Sequence, residues 1–167
     1  MWTRTSILVL AMSVLAGLAA CSDFDVKVNE RRVYNTQPLL EGFDIPDEAL
    51  KSCVSEAIAS GWISSAAQLK ELNCRGMGFV ELAGIGTFTG LERLRLSENS
   101  ISNLTALTPL SSLQELYLDR NQVVDPVPLF DLLSLRVLDL ARNGELKCPS
   151  SISLLRAQEI TLPRHCR

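Results

Sequence analysis

The chain has 167 residues, of which 47% are hydrophobic and 21% charged, and its formal net charge is −3 at pH 7. This length suits a single domain with a sizeable hydrophobic core. Because a mildly acidic chain lacks the basic surface that nucleic acids and anionic lipids require, we expect no nucleic-acid partner and no membrane contact through charge.

The N-terminus predicts export. Arg4 precedes an uncharged apolar run at positions 7–20, and small residues crowd the end of that run. This layout is typical of a secretory signal peptide, and the run is shorter than the roughly 20 residues that a membrane-spanning helix needs. We therefore expect residues 1–20 to be a signal peptide that is cleaved.

The stretch from Leu18 to Cys21 (Leu-Ala-Ala-Cys) resembles a bacterial lipobox. The resemblance implies that Cys21 carries lipid and becomes the N-terminus of a lipoprotein held by two or more acyl chains, which gives a durable membrane anchor. Ser22, in place of aspartate, implies the outer membrane of a Gram-negative bacterium. The alternative is an ordinary signal-peptidase site at which Cys21 has no special role.

Residues 21–43 leave two interpretations open. Val26, Val28, Val33 and Tyr34 surround a polar stretch and predict a small hairpin packed on the region that follows. The same segment can also be only a tether, although a pure linker would carry fewer apolar residues.

Residues 44–68 predict a helical cap. Asp44 suits the N-cap, Pro46 suits the first turn, and Gly61 is a natural stop. We expect the pair Trp62–Ile63 to fold back onto the first strand. The helix would have one apolar face, formed by Ala49, Leu50, Cys53, Val54, Ala57 and Ile58.

A repeat of 22 residues begins after this cap. Its first positions are Leu69, Leu91, Leu113 and Leu135, with Ala157 in the fifth place. Internal periods of this size are typical of solenoids. In the unit at 91–112, apolar residues occupy offsets 0, 3, 5, 10, 13, 16 and 19, and asparagine occupies offset 8.

This pattern resembles the 22-residue class of leucine-rich repeats found in bacterial internalins. The resemblance implies an α/β fold, a leucine-rich-repeat solenoid in which a right-handed coil carries a short parallel sheet, with helical or 3₁₀ turns on its convex side. We assign four repeats to residues 69–156, and a truncated fifth repeat with a C-terminal cap to residues 157–167.

The asparagines of the repeat have a predicted structural role. Asn99, Asn121 and Asn143 each follow a strand at the point where the chain must turn inward, and their amides can pair buried backbone groups there. The first unit has Met77 at this offset, and the third has Pro126 at one of the apolar offsets.

Apart from Cys21, the chain has four cysteines, and an even number in an exported protein predicts two disulfides. Cys53 lies on the apolar face of the cap helix and Cys74 at an inward offset of the first strand. Cys148 lies at an inward offset of the fourth unit, and Cys166 follows the fifth strand. A Cys74–Cys148 bond would span three repeats, roughly 14 Å, which is well beyond the limit of about 7 Å. We predict Cys53–Cys74 and Cys148–Cys166.

The side chains between the strand leucines should face outward on the concave side, where leucine-rich repeats usually bind. They form three columns with one residue per strand. The first column is Glu71, Arg93, Glu115, Val137 and Glu159; the second is Asn73, Arg95, Tyr117, Asp139 and Thr161; the third is Arg75, Ser97, Asp119, Ala141 and Pro163.

Arg93, Arg95, Tyr117, Asp119 and Asp139 form the predicted protein-binding face, because tyrosine and arginine often anchor interfaces. Avoidance of like charges between stacked strands explains the same alternation without a ligand. Five strands make a sheet only about 20 Å wide, which favours a weak or multivalent partner.

Nothing in the sequence predicts catalysis. The single histidine, His165, lies in the C-terminal cap, and no catalytic motif, phosphate loop or Cys-x-x-Cys metal motif is present, so we expect no enzyme, cofactor or metal. The leading hypothesis is an envelope lipoprotein that presents a protein-binding module. The alternative is a structural envelope component without a separable ligand. The sequence indicates neither the partner's identity nor an oligomeric state.

Overall fold

The computed structural model describes residues 27–28, 31–32, 39–148 and 157–166. The predicted signal peptide, Cys21 and the end of the fourth repeat lie outside these ranges. The chain divides into two units, residues 1–38 and 39–167. In the first unit, β1 (Lys27–Val28) and β2 (Arg31–Arg32) pair in antiparallel orientation. No helix in the described part of the chain has the length and apolarity needed to cross a membrane.

The second unit begins with α1 (Glu48–Gly61). Its N-cap is Asp47, whose Oδ1 accepts hydrogen bonds from the backbone N–H groups of Ala49 and Leu50 at 3.0 and 3.2 Å. The prediction of Asp44 as the cap and of Pro46 in the first turn is therefore wrong. A capping side chain must reach the free N–H groups of the second and third helical residues, and only Asp47 precedes them directly.

At the other end of α1, Trp62 takes the left-handed conformation (φ 52°) that closes the helix. Since the chain reverses at this residue, its side chain leaves the apolar face and is 60% exposed. The prediction that Trp62 folds onto the first strand is wrong. Only Ile63 returns to the core, and its N–H donates to Ile58 O at 3.0 Å.

The cap is joined to the solenoid by a disulfide and by close backbone packing. Cys53 of α1 is bonded to Cys74, with the two Cα atoms 5.9 Å apart. At Gly90, an added Cβ would lie 2.2 Å from the carbonyl oxygen of Ala67. The first coil therefore lies against the cap with no space for a side chain at this point.

Five short parallel strands form the sheet, in chain order. They are β3 (Glu71–Asn73), β4 (Arg93–Arg95), β5 (Glu115–Tyr117), β6 (Val137–Asp139) and β7 (Glu159–Thr161). Their inward residues lie side by side in register, as Leu72, Leu94, Leu116, Leu138 and Ile160. Paired residues are 22 positions apart, so each coil adds one strand and one layer of leucines to a common core.

The convex side is built from 3₁₀ helices, as the repeat predicted. They span Ile85–Thr87, Thr105–Leu107 and Val127–Asp131. Pro126 directly precedes the third of these and is buried, so its apolar ring occupies the offset that leucine has in the two preceding coils.

The predicted role of the asparagines is confirmed. Asn99, Asn121 and Asn143 are buried, and the Nδ2 of each donates to a carbonyl of the preceding coil, those of Cys74, Leu96 and Leu118. Their Oδ1 atoms accept from N–H groups of the preceding coil, those of Gly78, Ile101 and Val123. Each amide thus connects two neighbouring coils.

The C-terminal end is closed by a 3₁₀ helix, Arg164–Cys166. Cys166 is bonded to Cys148, with the two Cα atoms 5.2 Å apart. Leu162 is buried just before this helix. Both ends of the described solenoid therefore carry a disulfide.

Candidate functional site

The candidate site is the concave surface of the sheet, and strand register determines which side chains meet there. The pairing places Arg93 between Glu71 and Glu115, and Tyr117 between Arg95 and Asp139. The first and second columns are thus continuous across the strands.

Arg93 forms ion pairs with both of its neighbours in the first column. Its Nε donates to Glu115 Oε2 at 2.8 Å, and its Nη1 donates to Glu71. The hydrogen bond from Arg93 lowers the pKa of the Glu115 carboxyl, and the same interactions raise the pKa of Arg93. The charge of Arg93 is therefore largely satisfied within the chain.

Arg95 has a different environment. Its guanidinium carbon lies 5.3 Å from the ring centroid of Tyr117, a cation–π arrangement. The Tyr117 hydroxyl donates to Glu115 Oε2 at 3.2 Å, and burial together with this hydrogen bond raises the pKa of the phenol. Arg95 is exposed and forms no ion pair among the described residues, and its charge contributes, after that of Arg93, to the lowered pKa of the Glu115 carboxyl.

The third column is not an outward surface along its whole length, and here the prediction is wrong. Ser97 is only 5% exposed, and Pro163 is buried. The strands are three residues long, so the alternation of inward and outward side chains stops before this column. Ser97 belongs instead to the inward turn, where its carbonyl accepts from Gly76 N at 3.0 Å.

The two aspartates of the predicted face differ in position. Asp139 lies in β6 beside Tyr117, and its Oδ1 accepts from Ala141 N at 2.9 Å. Asp119 lies beyond β5, and its charge contributes to the raised pKa of Arg75, after the hydrogen bond of Arg75 to Glu98. The structure thus brings Arg93, Arg95, Tyr117 and Asp139 together in adjoining strands, with Asp119 at the margin.

Sequence reasoning missed the residue that follows the third column. Glu98, Arg120 and Arg142 have positive φ angles of 61°, 56° and 61°. Glu98 pairs with both Arg75 and Arg120. The signal was available, because Arg120, Arg142 and Arg164 are spaced by one repeat of 22 residues.

One group in the described residues has the residue types of a metal site. Donor atoms of Cys148, His165 and Cys166 lie within 4.8 Å of one another. The two sulfurs form a disulfide and so offer no thiolate. His165 Nε2 lies 3.0 Å from the Leu146 carbonyl, to which it donates. With the disulfide formed, this group crosslinks the C-terminal cap and does not have the ligands of a metal site.

Solved structures similar to this chain are bacterial repeat proteins. An internalin (inlF) from Listeria monocytogenes is 24% identical, with a TM-score of 0.64, and the match covers 72% of this chain and 37% of that one. A leucine-rich-repeat protein from Leptospira interrogans is 33% identical, with a TM-score of 0.52, covering 57% of this chain and 26% of that one. Internalin C2 from Listeria monocytogenes is 27% identical, with a TM-score of 0.47, covering 51% and 38%.

The matches span 26% to 38% of the length of those structures. No protein-family model matches the sequence, and neither does any curated protein. The fold was predicted from the repeat in the sequence, and the similar structures and the parallel five-stranded sheet both confirm it. The chain therefore folds as a leucine-rich-repeat solenoid with a helical cap.

Proposed function

We propose that this protein is a lipid-anchored component of the bacterial envelope, with internalin-like 22-residue repeats, that binds a protein partner through the concave face around Arg95 and Tyr117. The observation that carries the proposal is the cation–π pair itself, in which Arg95 is exposed and forms no ion pair with a carboxylate of the described residues, while Tyr117 is half-buried beside it.

The geometry of the pair suits recognition of an acidic side chain. Stacking on Tyr117 restricts the guanidinium of Arg95, so less rotamer freedom is lost when a partner binds. A carboxylate can accept two parallel hydrogen bonds from such a fork. We therefore expect a partner that places a carboxylate over Arg95 and apolar surface against the Tyr117 ring.

The small sheet limits affinity. Five strands at sheet spacing give a face about 20 Å wide, which is less than most stable interfaces need. Anchoring through Cys21 would concentrate many copies on one membrane surface, and that arrangement compensates for weak single contacts by multivalency. The lipid anchor and the concave face thus act together, because the anchor supplies the multivalency that a small binding face needs.

The anchor can be tested by metabolic labelling with an alkyne fatty acid. We expect label on the wild-type chain and none on Cys21→Ser, with wild-type protein in the outer-membrane fraction. Equal labelling of the two chains, or recovery of unlabelled wild-type protein in the soluble fraction, would remove the anchor from the proposal.

The binding face can be tested by crosslinking in intact envelopes followed by affinity recovery. Arg95→Gln and Tyr117→Ala should each reduce the yield of the partner by about tenfold, as expected for interface anchors. Arg136→Gln is the matched control, because Arg136 is an exposed arginine outside the three columns, and it should not change the yield.

The second candidate function is a structural envelope component without a separable ligand. The ion pairs that Arg93 forms with Glu71 and Glu115 favour it, since they satisfy the charges of the first column within the chain. Under this alternative, all three variants recover the same proteins in the same yield as wild type. That result would overturn the concave-face proposal.

A further inference from the structure

Beside the C-terminal cap, one position of the repeat places arginines in consecutive coils. Arg120, Arg142 and Arg164 are spaced by 22 residues. The pairing of Asp139 with Thr161, and the 2.9 Å hydrogen bond from Arg120 N to Ala141 O, hold these coils at sheet spacing. Like charges one strand apart, about 4.8 Å, repel each other unless something neutralises them.

Only the first of the three arginines has a counter-charge among the described residues. Arg120 pairs with Glu98, whereas Arg142 and Arg164 form no ion pair in the described part of the chain. The neighbouring Glu145 is exposed and pairs with neither. Residues 149–156 contain no acidic side chain. Two exposed cations thus lie side by side on a chain of net negative charge.

A surface cleft of about 590 Å³ lies between these two arginines. Arg142, Arg164 and His165 line it together with Gly144, Leu162 and Pro163. This volume is within the range of small-ligand sites. At Gly144, an added Cβ would meet no atom within 4 Å, so the cleft is open at that point.

The third polar group, His165, is held in place. Its Nε2 donates to Leu146 O at 3.0 Å, so Nδ1 of the neutral ring carries no proton and is a hydrogen-bond acceptor. The Cys148–Cys166 disulfide fixes the 3₁₀ helix that carries Arg164 and His165. This wall of the cleft is therefore held in place by the disulfide, and its backbone needs little ordering when a ligand binds.

We propose that this cleft binds a phosphate group, either as a free phosphate ester or as the phosphate head group of a lipid. A carboxylate has one charge and is saturated by one guanidinium fork. Two adjacent forks match the oxygens and the nearly double charge of a phosphate monoester, and Nδ1 of His165 can accept from the O–H of a protonated phosphate. This site is separate from the Arg95 and Tyr117 face and does not depend on it.

The test uses the ¹⁵N-labelled full chain in detergent at constant ionic strength, with arginine Nε–H signals as the readout. The probes are inorganic phosphate, glycerol 3-phosphate and acetate. We expect saturable shifts of the Arg142 and Arg164 signals with a phosphate probe, and at least about tenfold weaker binding of acetate. Arg142→Gln and Arg164→Gln should each weaken binding by about tenfold, and Arg136→Gln should leave it unchanged.

A fourth probe, phosphatidic acid in the same detergent, distinguishes the sources. Tighter binding of this lipid than of glycerol 3-phosphate assigns the site to a head group, and equal or weaker binding of the lipid assigns it to a free phosphate ester. The proposal is overturned if acetate binds as well as phosphate, if neither phosphate probe shifts these signals, or if Arg136→Gln weakens binding as much as the other two variants. Unchanged backbone signals for β6 show that each variant is folded.

Discussion

The side-chain Nδ2 of Asn121 donates to the backbone carbonyl of Leu96 at 2.9 Å, although the two residues are 25 positions apart. The same amide group donates to Leu118 O in its own coil at 3.1 Å, and its Oδ1 accepts from Ile101 N at 3.0 Å. One buried side chain thus satisfies backbone groups in two coils, which makes the interior turns stable without water.

Replacement of Asn121 by alanine should lower the free energy of unfolding by about 3 kcal/mol, because three buried backbone groups lose a partner. The free energy of unfolding is measured by urea denaturation monitored by circular dichroism. Asn103→Ala is the control: Asn103 is exposed and accepts only from Thr105 N, so the loss should stay within about 1 kcal/mol. Equal losses in the two variants would contradict the role of the asparagine ladder.

The Cys53–Cys74 disulfide should contribute about 3 kcal/mol, because it closes a loop of 21 residues in the unfolded chain. Cys53→Ala/Cys74→Ala should show this loss in urea denaturation. Wild type in dithiothreitol should be less stable than the oxidised double variant, because the reductant also opens Cys148–Cys166. A variant with all four cysteines replaced should be insensitive to the reductant, and any sensitivity there would point to another cause.

Removal of the helix cap by Asp47→Ala should cost about 1–2 kcal/mol at neutral pH. Burial opposes ionisation of Asp47, but hydrogen bonds from Leu50, Val80, Glu81 and Ala49 outweigh it, and its pKa lies below the ordinary value of 3.8. Asp44→Ala, at the position that the sequence suggested, should change stability by less than about 0.5 kcal/mol.

The effect of Asp47 should depend on pH. Because its pKa is lower in the folded than in the unfolded chain, its ionised form stabilises the fold fully above the unfolded value, and this contribution is lost as pH falls through the folded value. The stability difference between wild type and Asp47→Ala should therefore shrink below about pH 4. A difference that grows on acidification would have the wrong sign for this explanation.

The contact between cap and solenoid predicts a severe effect of Gly90→Ala. The new Cβ would meet the Ala67 carbonyl oxygen at 2.2 Å, so the backbone must shift, and we expect a loss of about 3 kcal/mol in thermal or urea denaturation. Gly144→Ala is the matched control, since its Cβ would meet nothing within 4 Å, and it should remain within about 0.5 kcal/mol of wild type.

The asparagine column is interrupted at both ends, by Met77 in the first unit and by His165 in the fifth, and the fold explains the first interruption. β3 is the first strand of the sheet, so no earlier coil offers a carbonyl to an amide at position 77. Met77 occupies this position and is 39% exposed. An asparagine at position 77 would lack the inter-coil hydrogen-bond partners that Asn99 has. The fold therefore does not require an asparagine in the first unit.

The sequence by itself determined the solenoid, because the period of 22 residues specifies which leucines share the interior, and stacking is the only way for such short units to bury them. It also placed the strands and the asparagines, which depend on offset within a repeat, and the cysteine pairs, which combine such offsets with the apolar face of the cap helix. Tertiary structure decided the rest. The burial of Ser97 and the ion pairing of Arg93 rather than Arg95 depend on neighbouring coils, whose facing residues are 22 positions away in the chain, and no local pattern encodes them. The cap residue Asp47 and the exposed Trp62 depend on the residues at which the helix begins and ends, and the sequence offered both Asp44 and Asp47 for its start.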